Sequence, residues 1–159
     1  METTAIFVVQ FVWFLVAWST LAVVLVAPRL AAVPGETALT VALAPQMFRA
    51  LGIGLLVPAL APELPRSFAI PTAIGDVTTA VLAWAALLAL HRRSPHGRRL
   101  AWACTLVGAV DLAIALPHAA RIEAARYLAA QWYVPTLAVP LMIVSHVLTL
   151  RVLLGSRRP

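Results

Sequence analysis

The sequence predicts an all-α integral membrane bundle of five transmembrane helices, and three observations predict it. Of 159 residues, 62% are hydrophobic and only 11% are charged, where a soluble domain carries about 25% charged residues. The apolar residues gather in runs of roughly 20, the length that crosses a hydrocarbon core. The arginines stand mostly at the ends of those runs, as orienting charges do. The formal net charge of +6 therefore does not describe a nucleic-acid-binding face. No repeat, low-complexity tract or soluble linker divides residues 1–159, so a single transmembrane domain is expected.

The spans follow in order at 5–27, 37–60, 69–90, 100–117 and 134–154. The first begins after Glu2, with no basic residue ahead of it, and is too long for a signal peptide's apolar region, so it reads as a retained helix. The second, "TALTVALAPQMFRALGIGLLVPAL", contains Pro45, Pro58, Gly52, Gly54 and Arg49. Four spans plus a re-entrant segment at 37–60 is the alternative it raises. The loop "HRRSPHGRR" (91–99) is the most basic segment and is expected in the cytoplasm, together with Arg151, Arg157 and Arg158. Five spans then place Arg29 inside and the N-terminus outside. The stretch 118–133 carries Ile122, Ala125, Leu128 or Ala129, and Trp132 at helical spacing, with Arg121, Glu123 and Gln131 elsewhere, which predicts an amphipathic helix lying in the outer headgroup layer.

Ionisable residues inside such runs face inward and pair, because a lone charge against lipid costs several kcal/mol. Asp76 lies roughly 10 Å from the outer end of its span and Asp111 roughly 9 Å, at about 1.5 Å per residue. Gln10 falls near that depth, and Arg49 and His146 sit nearer the midplane. A shared polar cluster of Arg49, Asp76, Asp111, His146 and Gln10 is the expectation. Small neighbours permit it: Cys104, Gly108 and Ala115 share a face with Asp111, Thr72, Thr79, Ala80 and Ala83 with Asp76, and Gly52 with Arg49. One guanidinium cannot neutralise two carboxylates. The second acid must then take a proton or pair with a protonated His146. Pro45, Pro58, Pro135 and Pro140 free backbone carbonyls near the cluster, which membranes tolerate where protein or water receives them.

Several chemistries are missing. All twelve basic residues are arginine, so no lysine is available for a Schiff base. Cys104 is the single cysteine and reads as apolar filler. His91, His96, His118 and His146 offer no pair at matching depth for haem. No zinc spacing, phosphate-binding GxxxxGK[ST] or GxSxG nucleophile is present. No cofactor, no metal site and no enzymatic role are expected. The basic loop reads as a topology determinant.

The motifs "QMFRALGIG", "PRSFAIPTAIGDV" and "YVPTLAVPLMIVSHVLTLR" resemble those of uncharacterised small multi-pass membrane proteins of bacteria, over Gln46 to Arg151. The arrangement is distantly similar to DoxX-like bundles in its Arg-x-x-Gly helix, its Phe-Ala-x-Pro entry and its acid-bearing helix. It departs from them in having an extra first helix, and in Asp76 where a Glu usually follows the glycine. The resemblance implies the bacterial inner membrane and a helical bundle, while the charge placement puts the N-terminus outside and the C-terminus in the cytoplasm. Three roles are expected: a structural or accessory protein first, a small-solute or proton-coupled carrier as its alternative, and a DoxX-like redox accessory as a third. The partners expected are the lipid bilayer and a second copy or a membrane complex, with no nucleic acid.

Overall fold

A chain this apolar satisfies its backbone within each segment, which helices do and open strands do not. The computed structural model describes residues 2–155, and every regular element among them is helical. Arg157 and Arg158 lie outside the described residues. Five helices are long and apolar enough to cross a membrane: α1 Thr3–Ala31, α2 Gly35–Leu56, α3 Arg66–His91, α4 Gly97–Arg121 and α5 Ala129–Gly155. The interrupted second stretch thus forms a helix of 22 residues, as long as a span needs to be.

Proline reshapes three of these helices. In α1 and α5 it is preceded by a widened π turn. Ala22–Val26 leads into Pro28, and Val134–Ala138 into Pro140. The Ala27 N–H reaches back to the Ala22 carbonyl and the Val139 N–H to that of Val134. The wider turn makes room for a ring that would otherwise meet the carbonyl four residues back.

In α2 the response is the opposite. The helix is α from Gly35 to Leu43 and tightens into a 3-10 helix from Ala44 to Leu56, with Pro45 at its start. Three residues per turn place every third side chain on one line. That line is Gln46, Arg49, Gly52 and Leu55, the buried residues of the segment. At the roughly 100° per residue of an α-helix, Gln46 and Leu55 would face opposite sides. The 3-10 winding therefore turns both ends of the segment toward the same interior.

Helices α2, α3, α4 and α5 form a ring in which each packs on its neighbours, α3 most extensively on α2 and α4. α1 lies outside this ring, against α5 and the segment after α4. Its Thr3–Leu21 portion has no buried residue. Two apolar clusters close the ends of the ring. Leu39, Leu43, Ala83, Cys104 and Leu153 fill one, and Leu55, Ala61, Leu64, Phe68 and Leu128 the other.

The stretch 118–133 is not the single surface-lying amphipathic helix its spacing predicted. α4 continues to Arg121, the chain turns through a left-handed Glu123 (φ 52°), and two 3-10 turns follow at Ala124–Tyr127 and Ala129–Trp132. Ala124, Ala125, Leu128 and Gln131 are buried, the last three at intervals of three. The physical reason is the apolar rim left by Leu55, Ala61, Leu64 and Phe68. Covering it draws the segment in over the end of the ring.

Candidate functional site

Between the two apolar clusters lies the charge centre. Arg49, on the tightened part of α2, is only 4% exposed. Its Nε donates to Asp76 Oδ1 at 2.8 Å. Its Nη2 is 2.8 Å from the same oxygen and also donates to Asp111 Oδ2. Its Nη1 donates to the Gly108 carbonyl at 3.3 Å. All three guanidinium nitrogens are thus engaged by α3 and α4. The planar fork of arginine suits this, because it presents donors in fixed directions at once.

Glycines make the close approach possible. A Cβ on Gly52 would overlap the Asp76 carboxylate, and one on Gly75 the Asp111 carboxylate. On Gly108 it would meet the His146 imidazole and the Thr79 methyl, and on Gly54 the Gln131 amide. Around the ring three polar side chains are seated on a glycine of the preceding helix: Asp76 of α3 on α2, Asp111 of α4 on α3, and His146 of α5 on α4. Small residues at such contacts let helix axes draw together.

A cavity of about 70 Å3 opens beside the triad. Arg49, Asp76 and Asp111 form its charged part, and the two acid side chains keep 16% and 14% exposure. Its other walls are almost wholly hydrocarbon, from Phe7, Phe68, Ala115, Leu128, Pro135 and Val139. Among the described residues, Thr72 is the only hydroxyl-bearing one on it.

Two of the five expected cluster residues are placed differently. Gln10 is not in the cluster. Its Oε1 accepts from Trp132 Nε1 at 2.5 Å, because α1 packs on the outside of the ring, against α5 and the segment after α4. His146 is buried, but it pairs with neither acid. Both its ring nitrogens lack a hydrogen-bond partner among the described residues, and the ring is spent on filling the space above Gly108. The second acid finds its partner on the other side, on Nη2 of the same arginine.

Other polar groups of the interior escaped the sequence reading. Gln46 Nε2 donates to the Met142 carbonyl at 2.9 Å and to Ser145 Oγ at 3.0 Å, and Ser145 Oγ donates to the Ala42 carbonyl at 2.6 Å. The signal for Gln46 was its place three residues before Arg49. Gln131 is 6% exposed and seated on Gly54, although its spacing put it on a polar face. No group of three or more His, Cys, Asp and Glu residues able to hold a metal occurs among the described residues.

A family model described as Domain of unknown function (DUF8737) matches residues 6–154. No curated protein and no solved structure matches the chain.

Proposed function

We propose, from the premise that this chain belongs to the DUF8737 family of unknown function, that it is a five-span bacterial inner-membrane protein whose triad binds a proton or a small cation, as a carrier's site does. One observation carries this reading. A single guanidinium serves two carboxylates beside a cavity. A clasp between helices needs one acid for one arginine. The second acid adds an excess negative charge in a place poor in solvent, and such a charge calls for a proton or a cation. The contacts divide the labour. Asp76 receives two arginine nitrogens and acts as the clasp, while Asp111 receives one and is the exchangeable acid.

The membrane reading is supported by the five apolar helices and by the arginines of the α3–α4 loop and the first turn of α4, Arg92, Arg93, Arg98 and Arg99, which favour the cytoplasmic side. Cysteines placed at Ser94 and Ala59 in a Cys104→Ala background test the orientation. An impermeant maleimide should reach the Ala59 position in intact cells and the Ser94 position only after permeabilisation. The reverse pattern refutes the orientation.

The binding role is tested by infrared spectroscopy on protein in lipid nanodiscs. A protonated-carboxyl band should follow pH while the fold persists, and Asp111→Asn should remove it with thermal stability kept or raised. A wild type with no titrating carboxyl before unfolding overturns the proposal. A second reading, a structural or accessory protein with the triad as glue, is favoured by the full engagement of Arg49. It requires that Asp111→Asn lower stability.

A further inference from the structure

We infer that the cavity beside Arg49, Asp76 and Asp111 takes a small protonated alkylamine, with its ammonium on the Asp111 carboxylate and its carbons against the hydrocarbon wall. The inference rests on the cation-binding reading above and names its ligand class.

Elimination over the lining residues leads there. An anion would meet two carboxylates and a guanidinium whose nitrogens are already engaged. A sugar or another neutral polar solute needs several donors and acceptors, and beyond the charged groups Thr72 alone supplies a polar side chain. Hard metal cations take about six or more oxygens. Here the oxygens come from two aspartates and one threonine, and two of the carboxylate oxygens already accept from Arg49. An alkylammonium asks for less. It needs an acceptor for its N–H groups, a counter-charge and an apolar surface for its stem. Phe7 and Phe68 on the wall add aromatic surface, which attracts cations through the ring quadrupole.

Size narrows the class further. An apolar protein cavity of about 150 Å3 holds benzene, so about 70 Å3 has room for roughly half as many heavy atoms. Methylammonium and ethylammonium fit, whereas butylammonium and tetramethylammonium overfill the space. Tetramethylammonium also has no N–H to donate.

Thermal unfolding of the full chain in nanodiscs tests this, with methylammonium, ethylammonium, butylammonium and tetramethylammonium chlorides, potassium chloride at equal ionic strength, and ethanol as a neutral isostere of ethylammonium. The expected result is a saturable rise in melting temperature with methylammonium and ethylammonium. Apparent affinity for butylammonium should be about tenfold weaker or less, as overpacking demands, and ethanol and potassium should produce no saturable rise. Ala115→Leu fills the cavity without touching an ionic contact and should abolish the ethylammonium effect. Equal stabilisation by potassium, no saturable effect of any amine, or an unchanged ethylammonium effect in Ala115→Leu overturns the inference. Each of those results leaves the titrating carboxyl band of Asp111 to be read independently, so the amine assignment can fail while the proton site stands.

Discussion

The Asp111 carboxylate occupies the space that a Cβ on Gly75 would fill. The acid and the glycine sit on neighbouring helices, and the glycine immediately precedes Asp76, the other acid of the triad. One residue pair thus sets both the α3–α4 approach and the position of the two carboxylates around Arg49. Gly75→Ala should push Asp111 off the guanidinium and lower stability by about 1–3 kcal/mol, the usual cost of overpacking a closed contact. Gly52→Ala should do the same through Asp76. Gly155→Ala is the control. Among the described residues, nothing beyond its chain neighbours and its own helix backbone lies within 4 Å of the added carbon, and the change should be neutral or stabilising by up to about 1 kcal/mol. Thermal melts in one lipid system compare the three.

Arg49→Lys should be nearly as damaging as outright removal of the charge. An ammonium on a flexible stem cannot reach Asp76, Asp111 and the Gly108 carbonyl in three fixed directions, and two buried acids are left short of donors. A loss of about 3–5 kcal/mol is expected, the range seen when one partner of a buried ion pair is lost. Asp111→Asn in the Arg49→Lys background should recover part of it, because one acid then remains for one cation. A double-mutant cycle by thermal unfolding reads the coupling, and strict additivity would separate Asp111 from Arg49 energetically.

Much of this was legible because two rules act on single residues. Apolar length gives the helices, and the cost of an unpaired interior charge sends Arg49 toward Asp76 and Asp111. What escaped needed a direction around a helix as well as a height along it. Gln10 has the right height, but α1 stands outside the ring. His146 lies on the ring, yet its imidazole is used to cover Gly108. The same gap hid the 3-10 winding of α2. Its buried residues at 46, 49, 52 and 55 recur every three, a period that an α-helical reading spreads around the helix. Residues 125, 128 and 131 also recur every three, whereas an α-helical reading groups 122, 125, 128 and 132 on one face and leaves Gln131 off it.

That winding makes its own prediction. Leu55 is 8% exposed, whereas Ile53 and Leu51, on either side of Gly52, are 48% and 51% exposed. Leu55→Ala should cost about 2–5 kcal/mol by removing a packed side chain from the apolar cluster with Phe68 and Leu128. Leu51→Ala and Ile53→Ala should each stay within about 0.5 kcal/mol, as changes away from packed contacts do. Thermal melts of the three variants settle it, and a Leu51 variant as damaged as the Leu55 variant would contradict period-three burial in this helix.

The link between α1 and the ring gives the last prediction. The ring reaches α1 through the Gln10–Trp132 hydrogen bond, the edge-on Phe7–Trp132 contact at 5.4 Å and a bond from Trp18 Nε1 to the Leu137 carbonyl at 3.1 Å. Gln10→Leu leaves the Trp132 N–H without an acceptor and should cost about 1 kcal/mol. Gln10→Leu with Trp132→Phe removes both polar partners and should recover most of that loss, because the desolvated donor is gone while the aromatic contact to Phe7 is kept. Since Gln10 lies outside the triad, neither variant should change the carboxyl band assigned to Asp111. The band and the melting temperature, measured on the same samples, separate the two roles. A shifted band in Gln10→Leu would place Gln10 in the charge cluster after all.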